Sequence, residues 1–443
     1  MSEQEAAPPP PTSESEAVPS VAARLALYQR AGGVITPLLT AAFAFAIGGL
    51  LIGFTAGKGF FSPGKAIDTY RAIFDGAGFD WFFHVGSYSA RLPFTDAHVW
   101  FPWNTYAEQG AFDPHLQAIA TRSLNLQQTL IVVTPLVLTG LAVAFAFRCG
   151  LFNIGGNGQY TVGAIVGVQM GIWFAALPKP LHLLLALGAA MLAGAFWAAI
   201  AGFLKATVGA HEVITTIMLN WIALWVGSWL IGLNGPLQQH KPGLESVAAT
   251  NDIAQSAHLP VFWGSPSLQG LHAGLFIALA ALVVYYFVLN RTTLGFEVRA
   301  VGFNAEAARY SGISPAKNYV LAMAISGAFA GLAGGIDLLG WEFHLDLTEV
   351  QSTQLGFIGI AVALLGRNKP LGIFLAALLF GALVNGTSTR NLDPSVFEPL
   401  LAGNLSRVIQ GLVVLFVGAD LLVIYLWNAR RRLGLTRKKA TAA

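Results

Sequence analysis

The chain has 443 residues, of which 55% are hydrophobic types and only 11% charged, whereas soluble domains carry about a quarter charged residues. That balance excludes a water-soluble fold, and a formal charge of +3 gives no footing for nucleic-acid binding. The single Cys149 excludes an internal disulfide framework and a cysteine zinc site, both of which need several thiolates. It reads as a small packing residue.

The opening "MSEQEAAPPPPTSESEAVPS" is rich in proline, serine and glutamate and lacks the apolar centre of a signal peptide. Residues 1–30 are therefore expected to form a disordered cytoplasmic tail. Apolar runs long enough for a hydrocarbon core of about 30 Å then recur at 35–54, 126–147, 160–177, 181–204, 213–232, 270–289, 318–339, 354–366, 370–388 and 406–427. The expected fold is all-α and polytopic, with about ten transmembrane helices spread over 31–427. The eighth run is short, and it must borrow flanking residues, tilt less or fail to cross fully.

An even number of spans puts both termini on one side. With that side cytoplasmic, the inner segments hold 16 of the 25 basic residues, including Arg148, Lys205, Arg291, Arg367, Lys369 and the basic tail 428–443. This is the positive-inside arrangement. The outer segment 56–124 crowds Trp81, Phe82, Trp100, Phe101 and Trp103 among prolines and charges, which suits either a membrane interface or a docking surface.

After the second run, "GLFNIGGNGQY" sets Phe152, Asn153, Asn157, Gln159 and Tyr160 among four glycines. Irregular backbone at membrane depth needs protein or a water-filled cavity to satisfy it, so the stretch is either a broken helix lining a permeation path or a close-packing element. In the fifth run Glu212, Thr216 and Asn220 share a helical face. Asn220 is the deeper and the better path candidate, while Glu212 suits the helix N-terminus. Asp337, Glu342, His344 and Asp346 gather at the outer end of the seventh run, either to meet an external protein or as solvated loop charges. Few ionisable residues lie within the runs, which argues against a proton relay and suits a neutral polar cargo.

Between the sixth and seventh runs lies the polar insert "GFEVRAVGFNAEAARYSGISPAK". Asn304 can cap a helix, Ala305 to Arg309 are helix formers, and Gly312 can stop it. A short surface helix is expected inside the coupling segment 290–317.

"LGFEVRAVGFNAEAARYSGI" resembles the cytoplasmic coupling segment of ABC import permeases of the branched-chain amino acid, ribose and nucleoside group. The likeness extends in order through "LFNIGGNGQYTVGA", "HEVITTIMLNWIA", "SGAFAGLAGGIDLLG" and "GFIGIAVALLGRNKPLGI", and is greatest to the nucleoside and simple-sugar branch. Two features depart from that pattern: the aromatic stretch at 80–115, and Asn157 where an acidic residue is usual. The resemblance implies a multi-pass subunit of a bacterial inner membrane, paired with a second homologous permease and surrounded by membrane lipid. It implies a cytoplasmic ABC ATPase docked on Glu297, Arg299, Asn304, Glu306, Ala307, Arg309 and Gly312, and cargo delivered by an external lipoprotein. Nucleosides are the implied cargo, with a ribose-like sugar or a branched-chain amino acid as alternatives.

No enzyme or metal signature accompanies these motifs. Gly57 and Lys58 are followed by Gly59 where a phosphate-binding loop needs Ser or Thr. No cofactor is expected on the chain itself, and ATP would be used by the partner subunit.

Overall fold

A computed structural model describes residues 35–56, 61–83, 90–91, 98–99, 114–243, 246–264, 270–388, 407–412 and 415. The tails 1–30 and 428–443, Trp100, Phe101 and Trp103, and most of the expected tenth span lie outside the described residues.

The described fold is all-α. Helix α1 (Ile35–Ala56) is followed by α2 (Pro63–Gly76), α3 (Pro114–Arg148), α4 (Gly156–Trp173), α5 (Lys179–Val208) and α6 (Glu212–Ile231). Then come α7 (Gly274–Arg291), α8 (Thr293–Phe303), α9 (Ala305–Tyr310), α10 (Pro315–Asp337), α11 (Leu347–Ser352), α12 (Leu355–Leu365) and α13 (Pro370–Gly386). Among the described residues, five helices are long and apolar enough to cross a membrane: α3, α5, α6, α7 and α10 with its one-turn π extension to Glu342.

Helix α3 is the hub and is almost wholly buried in its apolar part, packing on α7, α10, α12 and α13. Pro135 removes one of its ladder donors, and Thr139 Oγ1 donates to the Pro135 carbonyl at 3.0 Å, so a hydroxyl engages the backbone beside the interruption. Helices α4, α5 and α10 form the tightest seam. A Cβ on Gly163 would lie 2.4 Å from Gly331 Cα, and one on Gly194 would lie 2.3 Å from the Gly327 carbonyl oxygen. Small residues let these backbones touch where no hydrophobic force between helices operates.

The eighth expected run is a short helix, as its length suggested. Helix α12 has 11 residues, about 16 Å of helix at 1.5 Å per residue. The 6-residue α11 precedes it, separated by a break at Thr353 and Gln354. The turn from α12 into α13 puts Arg367 and Asn368 at φ 53 and 55, left-handed conformations that cost non-glycine residues roughly 1–2 kcal/mol each.

At the end of α10 remote from the polar insert, a strap from 249 to 259 is hydrogen-bonded to the residues that follow: Thr250 N donates to the Leu345 carbonyl, Ile253 N to Phe343 and Leu259 N to Leu339. Strands β1 (Ala90–Arg91) and β2 (His98–Val99) pair antiparallel, as do β3 (Val261–Trp263) and β4 (Leu271–His272). Trp81 corrects the interfacial expectation. It is 6% exposed and packs on Trp263, Leu126 and Leu271, while Asp80 beside it pairs with Arg122 at 2.6 Å. Asp337 is likewise not a solvated loop charge: it is buried and accepts the Tyr160 hydroxyl.

Candidate functional site: two interrupted helices and a capped insert

Helix α3 ends at Arg148, Gly150 turns the chain at φ 75, and α4 begins at Gly156. The irregular part is therefore shorter than the glycine-rich stretch suggests, since Asn157, Gln159 and Tyr160 already belong to the first turns of α4. Residue 155, at the N-cap position, is glycine and has no side chain to cap with. Neighbouring amides do the work instead.

Asn220 of α6 accepts from Gly158 N at 2.7 Å and donates to the Ile154 carbonyl at 2.9 Å. Asn153 accepts from Gly155 N at 2.9 Å and donates to Ser326 Oγ on α10 at 2.7 Å. Asn153 and Gln159 also form a reciprocal amide pair, with Nδ2 to Oε1 at 2.9 Å and Nε2 to Oδ1 at 3.0 Å. All three side chains are buried. Buried backbone groups left unpaired cost about 1–3 kcal/mol each, so these amides hold the break open against collapse. Phe152 stacks on Phe147 with centroids 4.9 Å apart. Tyr160 fixes α4 to α10 through Asp337.

The second interruption meets the first. A Cβ on Gly356, in the first turn of α12, would lie 2.2 Å from Asn157 N, and one on Gly156 would lie 3.3 Å from the Gly356 carbonyl oxygen. The N-terminal turns of α4 and α12 thus touch backbone to backbone, about 16 Å along α12 from the turn at 366–369. Each N-terminus presents amide donors and the positive end of a helix dipole. Asn157 Oδ1 is buried there without a hydrogen-bond partner. The sequence carried no warning of the second break beyond the shortness of the eighth run.

The polar insert is two helices where one was expected. Thr292 Oγ1 caps α8 through Gly295 N at 3.1 Å; Asn304 Oδ1 caps α9 through Glu306 N and Ala307 N at 3.0 Å each; Ser314 caps α10 through Lys317 N at 3.3 Å. Asn304 also ends α8, its φ of −160 breaking the helix. Gly312 turns the chain at φ 82 after α9, and Glu306 lies 3.6 Å from Arg309 on the exposed face.

Glu297 anchors the insert to α10, accepting from Asn318 Nδ2 at 3.2 Å and lying 3.8 Å from Lys317. Arg299 folds back on Gly295, its Nε donating to that carbonyl at 3.2 Å. Ala307 sits in the first turn of α9, so its N–H is spent on the Asn304 cap. Sequence reasoning passed over two residues here: Phe303 is 90% exposed and Tyr310 92%. Aromatics that bare, on a segment otherwise polar, mark a surface made to be covered.

The insert and the first break are joined. A Cβ on Gly302 would lie 2.3 Å from the Arg148 carbonyl oxygen, and one on Gly150 would lie 3.3 Å from Gly302 Cα. Main-chain contact, with no flexible side chain between, thus joins α8 to the residues entering the break.

Residues 125–418 match the family described as the permease component of branched-chain amino acid transport systems. The chain is 40% identical over 309 residues to the guanosine ABC transporter permease protein NupP of Bacillus subtilis, covering 69% of this chain and 84% of the relative. It is 35% identical over 301 residues to the nucleoside ABC transporter permease protein NupB of Lactococcus lactis, covering 68% and 80%. It is 36% identical over 301 residues to the glucose ABC transporter permease protein TsgB13 of Haloferax volcanii, covering 67% and 77%. No solved structure matches the chain. A match that takes in the coupled insert, both interrupted helices and the hub helix has one meaning: this chain belongs to the permease family of branched-chain amino acid type ABC transport systems.

Proposed function

We propose that the chain is the membrane-spanning subunit of an ATP-driven bacterial importer that carries nucleosides inward across the cytoplasmic membrane. The observation that carries the reading is the meeting of two interrupted helices at Gly156, Asn157 and Gly356, the arrangement by which transporters place polar backbone at a path through the bilayer. Asn157 Oδ1, buried and unpartnered, offers an acceptor there, and the two helix N-termini offer donors. A nucleoside is neutral, and its hydroxyls and base edge both donate and accept, so it matches such a surface without a counter-charge. Asn153, Gln159 and Asn220 hold the break in shape, while Phe152 and Tyr160 bound it. The likeness to guanosine and nucleoside permeases supports this cargo.

ATP hydrolysis belongs to a separate cytoplasmic ABC ATPase, docked over α8 and α9 on Phe303, Glu306, Arg309 and Tyr310, with Glu297 and Arg299 as the inner struts. A second, homologous permease completes the membrane part: Bacillus subtilis NupP has a related guanosine permease, NupQ, which is 30% identical to this chain over 260 residues. An external lipoprotein delivers cargo to the outer strap. The glucose permease TsgB13 favours a second reading, the same machine carrying a simple sugar. Uptake of labelled guanosine in cells expressing the chain with its neighbouring importer genes separates them. Competition by unlabelled nucleosides and none by glucose is expected; competition by glucose alone overturns the nucleoside reading and leaves the permease.

A further inference from the structure

The turn between α12 and α13 borders a cavity of about 450 Å³, at the opposite end of α12 from its contact with α4. Arg148 from the end of α3, Arg299 from α8 and Lys369 from the turn line it, and no acidic residue does. Cations gathered in one partly desolvated space repel one another unless an anion joins them.

Two hydrogen bonds hold the wall in place. Arg148 donates through Nη2 to the Asn368 carbonyl at 2.9 Å, as does the Tyr285 hydroxyl at 2.9 Å, and this fixes both groups at the cavity wall. The wall therefore presents three cations with no counter-charge among its lining residues, which suits an anion. Tyr286 and Leu371 form the outer lip, and exposed Val283 and Leu375 continue from it, one turn away each, along α7 and α13, which pack together. An apolar track leading away from a cationic pocket is the outline of a lipid and not of a free ion.

We infer that this cavity holds the headgroup of an anionic glycerophospholipid, its phosphodiester among Arg148, Arg299 and Lys369, and an acyl chain along α7 and α13. Basic pockets between helices on the cytoplasmic side recognise such headgroups; the inference rests on the reading that this end of the bundle meets the inner leaflet. A lipid bound there would tie the α12 turn to α8, next to the ATPase docking face.

The test uses the intact importer complex in detergent, with native mass spectrometry to count retained lipid. Phosphatidylglycerol is expected to bind at least about tenfold more tightly than phosphatidylcholine of the same chains, and Lys369→Gln to lower that affinity about fivefold, the worth of one interfacial cation. Leu371→Ser, which leaves all three cations in place, is expected to weaken the lipid while leaving glycerol phosphate binding unchanged. Equal retention of the two lipids, or no effect of Lys369→Gln in a complex of normal thermal stability, overturns the proposal. Displacement of the lipid by equimolar glycerol phosphate assigns the cavity to free phosphate and overturns it too. So does a photo-crosslinker at Leu371 that captures the ATPase subunit in membranes in place of lipid. Binding in detergent depends neither on cargo nor on which side this end faces, so loss of the transport reading and loss of this one give different results.

Discussion

Replacing Gly302 by alanine is the sharpest probe of coupling between the insert and the break. The added Cβ would stand 2.3 Å from the Arg148 carbonyl oxygen and 3.0 Å from the Cys149 carbonyl carbon, where ordinary contact begins at 3.4 Å. Both neighbours are main-chain atoms, so no rotamer change relieves the clash, and α8 must retreat by about 1 Å. Overpacking of this kind costs about 1–3 kcal/mol, more than the gain of up to about 1 kcal/mol that alanine brings to a helix over glycine. The exposed aromatics Phe303 and Tyr310, proposed above as the docking face, are left unaltered, so the ATPase should still bind. Cargo uptake, measured in cells at matched expression, should fall at least about tenfold, the equivalent of 1.4 kcal/mol, while ATP hydrolysis by the purified complex loses its response to cargo. Gly312→Ala is the control: its Cβ meets nothing within 4 Å, and only the local cost of φ 82, about 1 kcal/mol, is incurred. Wild-type uptake and cargo-stimulated hydrolysis in Gly302→Ala would refute the main-chain link.

Asn220→Leu strands Gly158 N and the Ile154 carbonyl. At about 1–3 kcal/mol for each buried group, the thermal midpoint of the purified protein and nucleoside uptake should both drop, and an unchanged midpoint would return Asn220 to a passive role. Asn304→Ala removes both bonds that start α9, worth about 1 kcal/mol, and combined with Tyr310→Ala it should abolish co-purification of the ATPase without lowering membrane insertion. Ala307→Pro is the milder lesion, costing one cap bond in the first turn and not the roughly 3 kcal/mol of a helix interior. Burial pushes the His272 imidazole down to about 4 from its ordinary 6.5, so the unfolded chain binds the proton first and stability falls as pH drops below 6.5. Between pH 7 and 5 the loss is about 2 kcal/mol, read as a lower thermal midpoint; His272→Asn, which can keep the acceptor for Gly274 N without titrating, should flatten the profile. A cysteine at exposed Ser311 in a Cys149→Ala background should resist an impermeant thiol reagent in intact cells and react in inverted vesicles. Labelling in intact cells would invert the proposed topology.

Much of this protein was legible before any coordinates. Apolar run length marked the all-α membrane class, because a bilayer tolerates only backbone that satisfies itself, and the ends of α5, α6 and α10 fall within a few residues of the expected runs. The cap at Asn304 and the turn at Gly312 are local, set by one side chain or one φ, and so they show in the sequence. Contacts across the bundle do not. Asn153, Gln159 and Asn220 stand out in sequence as amides among apolar runs, but their partners, 62 and 173 residues away, are supplied only by α6 and α10. Trp81 looked like an interfacial ring because nothing nearby in the chain announces Trp263. Gly356 and Asn157, Gly302 and Arg148, and the cationic cavity at Lys369 are products of packing alone. Sequence period records which face of a helix is apolar; which backbone that face will touch is decided only when the helices are assembled.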